Sequence, residues 1–252
     1  MKTEALRGFS GVMLDVTWFF TGFSGAVGTL FLLISFTTDY WLLSIESCAS
    51  EGTAPVSQRG LPVFCHEGLF WRCRFKGTVE EDSLWIFWKG VQSASEICSH
   101  AYLFPTPIYD AFTTTANATE AAEVYRGLWI VFISLGISMV VLAGFLSIGA
   151  SSSGKASLCK AAGGLFLTGG LLMLCVLVLH IVWFHGTSTL EQYAVQQAGR
   201  VCPGFHLSAH HGPSFMMAPV GVFFCLLSGS LHLVLERRLR EEPVLHEDDC
   251  ED

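Results

Sequence analysis

The sequence predicts a bundle of four transmembrane helices with a small extracellular β-sheet. Three observations predict this fold class: the composition is apolar, the apolar residues gather in four charge-free runs, and one segment between them is long and aromatic. Of the 252 residues, 51% are hydrophobic and only 14% are charged, and the mean hydropathy is +0.49. A soluble domain of this length seldom has such an average.

The charge-free windows are residues 16–38, 127–154, 161–190 and 201–235. Within them we predict spans at 16–36, 128–149, 161–183 and 215–235, each near the roughly 20 residues that cross about 30 Å of hydrocarbon. Buried helices of a soluble protein would have a polar face, and LFLTGGLLMLCVLVLHIVWF has none. The first window is too long for a signal peptide and has no cleavage site before TTDYW, so we expect it to remain as a span.

The distribution of basic residues predicts the orientation. Four spans put both termini on one side of the membrane, together with the loop between the second and third spans. Seven of the 14 basic residues fall on that side: Lys2, Arg7, Lys155, Lys160, Arg237, Arg238 and Arg240. Because Lys and Arg in short loops mark the cytosolic side, we predict a plasma-membrane protein with cytosolic segments 1–15, 150–160 and 236–252 and extracellular loops 37–127 and 184–214. The last segment ends in an acidic, solvated tail, EEPVLHEDDCED.

Two further features fit this orientation. The tripeptide NAT makes Asn117 a candidate N-glycosylation site, and it falls in the predicted first outer loop. The cysteines of the outer loops are Cys48, Cys65, Cys73, Cys98 and Cys202, and an extracellular location allows them to form disulfides. Five is an odd number, so one thiol is free or pairs with another chain.

The first outer loop is long enough to fold. YWLLSIES, GLFWRCRF and LWIFW have the character of short strands, separated by the turn-like ASEGTAPVSQRGLP and KGTVEEDS. Alternation puts Leu69, Trp71, Cys73 and Phe75 on one face of the sheet and Phe70, Arg72 and Arg74 on the other, where we expect the two arginines to face water or headgroups.

A small sheet needs covalent support because it has little core. We expect Cys73 to pair with Cys98, which would contribute about 3 kcal/mol in the chain-entropy model. That leaves Cys48 to pair with Cys65 or with Cys202.

DYW after the first span, followed by GLF and a cysteine, resembles the outer-loop signature of the claudin and peripheral myelin protein superfamily. Trp41 matches the first tryptophan of that signature, Gly68, Leu69 and Phe70 match its Gly-Leu-Trp triplet, and Cys73 matches its first cysteine. Phe70 replaces the usual tryptophan, Trp71 follows it, and the next cysteine, Cys98, lies further on than in claudins. The resemblance implies a claudin-like fold, with the sheet standing on a left-handed four-helix bundle.

DYWLL, HEGLFWRC, CSHAYL, VYRGLW, KAAGG and MAPVGVFF are similar, in this order, to segments of one branch of the wider superfamily. This resemblance implies expression in muscle, association with integrin β1 and restraint of myoblast differentiation and fusion. Two alternatives from the same superfamily are a claudin-like junction protein and an auxiliary, gamma-like subunit of a channel. Junction proteins usually end in a hydrophobic PDZ-binding residue, whereas this chain ends in CED.

No enzymatic motif is present: there is no nucleophile elbow, Walker loop or HExxH. His180 and His232 lie near span ends, where we expect interfacial packing. His206, His210 and His211, with Cys202, would suit zinc only if helical, and the prolines and glycines around them favour a loop. We therefore predict no enzyme, metal, cofactor, nucleic acid or small-molecule substrate.

The spans carry small residues at helical spacing, which is typical of close helix packing in lipid. They are Gly22, Gly25 and Gly28 in the first span, Gly163, Gly164, Gly169 and Gly170 in the third, and Gly221, Cys225 and Gly229 in the fourth. Cys159, at the inner membrane face, is a candidate for palmitoylation. The sequence thus predicts a non-enzymatic protein of the lipid bilayer that binds other membrane proteins through its outer sheet.

Overall fold

The computed structural model describes residues 2–48, 63–76, 97–100, 116–185 and 205–248. These ranges form four long helices: α1 (Lys2–Thr37), α2 (Ala116–Ser153), α3 (Ala156–His185) and α4 (Pro213–Asp248). They also form five strands: β1 (Leu42–Cys48), β2 (Val63–Glu67), β3 (Trp71–Lys76), β4 (Ile97–His100) and β5 (Phe205–His211).

Each helix contains a stretch that is long and apolar enough to cross a membrane. The stretches are Met13–Thr37, Leu128–Ser153, Ala156–Val182 and Pro213–Glu241. Four such helices and a small antiparallel sheet confirm the predicted fold class. Helix α2 begins at Ala116, so residues 116–127 of the predicted outer loop are helical.

The chain divides into two compact units. The bundle unit comprises residues 1–33, 131–177 and 218–252, and the sheet unit comprises residues 34–130 and 178–217. Helices α2 and α3 are joined by a tight turn in which Gly154 has φ +61°, a backbone conformation that residues other than glycine rarely adopt. The N–H of Gly154 donates to the carbonyl of Ala150 at 2.9 Å, which caps α2.

Glycines bring the helices of the bundle unit into backbone contact. A Cβ atom at Gly28 of α1 would lie 2.8 Å from the backbone nitrogen of Cys225 on α4. A Cβ at Gly163 of α3 would lie 3.0 Å from the carbonyl of Gly229 on α4, and one at Gly169 would lie 3.1 Å from the carbonyl of Gly136 on α2. These approaches agree with the predicted role of the small residues. Gly22 and Gly164 are exceptions, because a Cβ at either would meet nothing within 4 Å.

Polar contacts also connect the helices, and two of them lie in the bundle unit at Ser228 and His232. The Ser228 hydroxyl of α4 donates to the carbonyl of Thr21 on α1 at 3.0 Å. His232 is fully buried, with its Nδ1 2.9 Å from the carbonyl of Ser228 and its Nε2 2.9 Å from the hydroxyl of Ser147 on α2. A carbonyl only accepts, so Nδ1 carries the proton of the first bond. The ring of His232 is enclosed by protein, so it does not reach interfacial water, as a position near a span end would allow.

The sheet is antiparallel throughout, in the order β4-β3-β2-β1-β5. Its core packs Leu43, Phe64 and Phe75, with the rings of Phe64 and Phe75 stacked 5.3 Å apart. Two of the predicted strand runs correspond to β1 and β3, whereas LWIFW and both turn-like segments lie largely or wholly outside the described residues.

Candidate functional site: the five-stranded sheet

Trp41 forms the centre of an aromatic joint in the sheet unit. It is 2% exposed, and its indole N–H donates to the carbonyl of Ser35 at 2.6 Å. Its ring meets those of Trp129, His180 and Phe215 edge-on, with centroid separations of 5.7, 5.5 and 5.8 Å. Residues from α1, α2, α3 and α4 thus contribute to one packed cluster, which supports the residue that immediately precedes β1.

The backbone of Trp41 also links the two strands that flank β1. Its N–H donates to the carbonyl of Glu67 at the end of β2, at 3.0 Å, and its carbonyl accepts from the N–H of Gly212 after β5, at 3.0 Å. The signature tryptophan therefore fixes the start of β1 beside the ends of β2 and β5. The sequence signature singled out Trp41, and these backbone hydrogen bonds explain why this position matters to the sheet.

Gly68 occupies the most crowded part of the β2–β3 turn. A Cβ atom there would lie 2.4 Å from the Cα of Asp39, which no side chain tolerates. The N–H of Gly68 donates to the carbonyl of Trp71 at 2.9 Å and closes the turn. Burial raises the pKa of the Asp39 carboxyl above its usual range, while the nearby His66 ring and the backbone N–H of Trp71 offset part of that rise.

The other residues of the signature differ in exposure. Leu69 is buried, and Phe70 is half-buried against Phe36 of α1, with ring centroids 5.3 Å apart. Trp71 is 40% exposed, although it belongs to the same strand face as the buried Cys73 and Phe75. Most residues of the signature therefore pack inside the protein, and Trp71 is the one that is exposed at the surface.

The predicted disulfide between Cys73 and Cys98 is present and joins β3 to the edge strand β4. Cys65 is a buried free thiol, which removes the alternative in which it pairs with Cys48. Burial raises the pKa of the Cys65 thiol, and the nearby Arg72 guanidinium offsets part of that rise. Cys48 lies opposite Phe205 in the ladder, and Cys202 falls outside the described residues, so their pairing stays a prediction.

Arg72 corrects another expectation. The predicted alternation of β3 is right, but Arg72 does not face water or headgroups, because it is only 6% exposed. Its guanidinium lies 3.5 Å from the carboxylate of Glu46 and 3.7 Å from that of Glu67, and its Nε donates to the Cys65 sulfur at 3.2 Å. A buried cation between two carboxylates compensates charges that would each be costly alone. The β2–β3 hairpin turns at Gly68 and pairs Glu67 with Arg72. Opposite charges at these paired positions are the feature of the sequence that could have predicted the ion pair.

The histidine-rich segment forms strand β5, so the expectation of a loop is wrong. All seven residues of β5 pair with β1, from Leu42 opposite His211 to Cys48 opposite Phe205. His210 and His211 are neighbours on a strand and therefore point to opposite faces. Among the residues that the structure describes, no three His, Cys, Asp or Glu side chains are placed to hold a metal ion.

His211 packs among rings. Its centroid lies 4.0 Å from that of Phe184, 4.4 Å from Phe215 and 5.5 Å from His180. Burial, followed by the charges of His185 and His210, lowers the pKa of His211. Its Nδ1 is buried and has no hydrogen-bond partner within the described ranges. His180 is 4% exposed, so it too is packed inside protein and not placed at an interface with water.

The structure shows the surroundings of one candidate modification site, Cys159, and only the backbone of the other, Asn117. The Cys159 side chain is 0% exposed and packs against Ala150 and Leu235, which argues against palmitoylation, because the enzyme needs an accessible thiol. Asn117 lies in the first turn of α2 by its backbone, and its glycosylation stays a prediction.

Comparison with known proteins places this geometry in a family. The family model described as PMP-22/EMP/MP20/claudin tight junction matches residues 26–234. Proteins named transmembrane protein 182 are similar over nearly the whole chain. The Danio rerio protein is 40% identical over 91% of this chain and 98% of its own length. The Gallus gallus protein is 40% identical over 90% and 97%, and the Homo sapiens protein is 38% identical over 88% and 96%.

Proposed function

Because the chain belongs to the PMP-22/EMP/MP20/claudin family, we propose that it is a non-enzymatic, multi-pass protein of the plasma membrane that binds other membrane proteins through its sheet. Both termini would be cytosolic, and the sheet extracellular, with segment limits as the charge pattern predicts.

The binding surface is the edge of the sheet formed by β3 and β4, and the observation that carries the proposal is an exposed apolar side chain on each face of that edge, because Ile97 pairs with Arg74 and so points away from the Trp71 face. Ile97 on β4 is 74% exposed, and Trp71 on β3 is 40% exposed. Within the described strands, β4 lies at the edge of the sheet next to β3, and an edge strand is where a partner's strand can add to a sheet. Tryptophan is among the residue types that most often anchor protein interfaces.

The rest of the sheet supports this surface by keeping it rigid. The Cys73–Cys98 disulfide attaches β4 to β3, and the Arg72 cluster attaches β3 to β1 and β2. A preorganised edge loses little conformational entropy when a partner binds. The buried charges of Glu46, Glu67 and Arg72 compensate one another within the sheet, which favours a structural role for them over catalysis.

The partner we propose is integrin β1, on the basis of the sequence segments that resemble one branch of the family. The same resemblance supports expression in muscle and a role in restraining myoblast differentiation and fusion. The relatives named transmembrane protein 182 match over almost their full lengths, so a shared function is reasonable for the whole chain.

Cross-linking mass spectrometry on intact, unpermeabilised myoblasts tests the proposal. The wild-type protein should cross-link through the β3–β4 edge to integrin β1. The double variant Trp71→Ser/Ile97→Ser should lose most of these cross-links. The matched control is His210→Ser, which changes an exposed residue on β5, the strand at the opposite edge of the sheet. It should cross-link as the wild type does.

Three outcomes would contradict the proposal. Cross-links mainly between copies of this chain would favour a claudin-like junction protein. Cross-links to a pore subunit, with altered current on co-expression, would favour an auxiliary channel subunit. Labelling of a terminal antibody tag in unpermeabilised cells would overturn the orientation on which the extracellular sheet depends.

A further inference from the structure

A groove between α1 and α4 opens on the surface of the bundle unit that faces lipid. It has a volume of about 420 Å³. Its main lining residues are Val16, Phe20, Phe23, Phe224, Leu227 and Leu231. Thr17 and Ser24 also line it, but their hydroxyls donate to the carbonyls of Met13 and Phe20 at 2.8 and 2.6 Å, so the groove is apolar in effect.

The size and position of the groove limit what can occupy it. Every lining residue belongs to a stretch able to cross a membrane, so the occupant is apolar at this depth. Ligand pockets measure about 300–1,000 Å³, and this volume is in the lower part of that range. Two turns of a partner's helix, at about 10–12 Å in diameter with its side chains, need more than this volume. A single acyl chain is the narrower apolar occupant.

The charge beyond one end of the groove indicates the headgroup. Arg238 follows Leu231 by about two turns of α4, on the same face and about 10 Å further along the axis. Leu227, at the middle of the groove, is about 16 Å from Arg238 along the helix, close to the thickness of one hydrocarbon leaflet, about 15 Å. Arg238 therefore lies at headgroup level when the groove lies in the hydrocarbon.

The arginines at this level are available to a ligand. Arg237 and Arg238 are exposed, and within the part of the chain that the structure describes neither belongs to an ion pair. Arg240, by contrast, pairs with Glu236 one turn earlier. Two exposed guanidinium groups at a membrane surface attract anionic lipid headgroups.

We propose that this groove binds one anionic glycerophospholipid, with an acyl chain between α1 and α4 and its phosphate at Arg237 and Arg238. The lipid belongs to the leaflet on the side of the chain termini. This inference is independent of the partner proposed for the sheet. Its leaflet is cytosolic only if the proposed orientation holds, but the binding itself can be tested in a symmetric bilayer.

The test uses the full-length protein in nanodiscs that contain equal amounts of phosphatidylserine and phosphatidylcholine. In parallel samples, one of the two lipids carries a photoreactive diazirine in its acyl chain, and labelled peptides are identified by mass spectrometry. Labelling at residues 16–24 and 224–231 should be roughly tenfold stronger with the phosphatidylserine probe. Arg237→Gln/Arg238→Gln should reduce it to the phosphatidylcholine level.

Filling the groove provides a second, independent variant. Leu227→Trp should decrease labelling of these peptides by both probes, while the control Leu142→Trp, on the 50% exposed Leu142 of α2, should not. Equal labelling by the two probes in the wild type would overturn the proposal. So would a preference that persists in the arginine variant, or displacement of the probe by added cholesterol, which would identify a sterol as the occupant.

Discussion

The sheet unit and the bundle unit are stabilised by different means. The sheet unit uses a disulfide, a buried cluster of charges and an aromatic joint around Trp41. The bundle unit uses backbone contact at glycines and a few hydrogen bonds, and its described ion pair, Glu236 with Arg240, lies at the end of the fourth span.

The difference reflects the solvent of each unit. In lipid, apolar surface gains little by association, so helices associate through close backbone approach. A short sheet in water has too small a core to be stable alone, so covalent and ionic links supplement it. Substitutions chosen in both units therefore separate the two modes of stabilisation.

The largest effect should come from Gly68→Val. The new side chain would overlap the backbone of Asp39, since even its Cβ would lie 2.4 Å from the Asp39 Cα. We expect the protein to misfold and to be absent from the cell surface, as measured by surface biotinylation. Gly22→Val is the matched control in the bundle unit, where a Cβ meets nothing within 4 Å. A normal surface level of the Gly68 variant would show that the turn can rearrange.

Next in size is Arg72→Ala, which leaves the carboxylates of Glu46 and Glu67 buried without their cation. Breaking such a buried cluster costs about 3–5 kcal/mol, and the purified protein should unfold at a much lower temperature. Arg74→Ala, on the same strand face but only half-buried, should have a smaller effect. Equal losses in the two variants would mean that burial of Arg72 does not matter.

Cys73→Ser should destabilise the sheet by about 3 kcal/mol, because the disulfide no longer restricts the unfolded chain. Hydrogen exchange should increase in β3 and β4 while that of the four spans stays unchanged. Cys175→Ser removes an exposed free thiol of α3 and should change neither. Increased exchange in the spans of the Cys73 variant would show that the disulfide stabilises the bundle unit as well as the sheet unit.

Gly28→Leu makes the corresponding test in the bundle. A Cβ at Gly28 would lie 2.8 Å from the backbone nitrogen of Cys225, so α1 and α4 must separate. Overpacking of this kind costs about 1–3 kcal/mol, and we expect a lower unfolding temperature with the disulfide intact. Gly164→Leu, which has open space at its Cβ, should be neutral. A destabilised Gly164 variant would count against close approach as the cause.

The smallest effect should be a pH dependence at His211. Its pKa is lowered in the folded protein, so its contribution to stability is complete above the usual value of about 6.5 and decreases as the pH falls below it. The unfolding temperature should therefore decrease on mild acidification. His211→Phe keeps the ring contacts and should reduce this decrease, whereas His210→Phe, at an exposed position, should not. An unchanged pH profile for His211→Phe would exclude His211 as the group responsible.

Patterns of local composition predicted much of the fold and part of the site. Long charge-free runs identified four helices, since hydrocarbon imposes one length and one polarity on any span. The cysteines now in β3 and β4 were predicted to pair, and the family signature singled out Trp41 and Gly68. The strand β5 was missed, because its bracketing prolines and glycines are typical of loops.

What the sequence determined by itself was therefore the number of spans and the family signature, because each depends on residue type and spacing along the chain; it favoured the Cys73–Cys98 pair, which the structure then established. The tertiary structure alone decided that Arg72 is buried between Glu46 and Glu67, that Cys159 is inaccessible, and that β5 completes the sheet. Those outcomes depend on which distant segments come together, and the free energy of a buried charge or thiol is set by its neighbours in space.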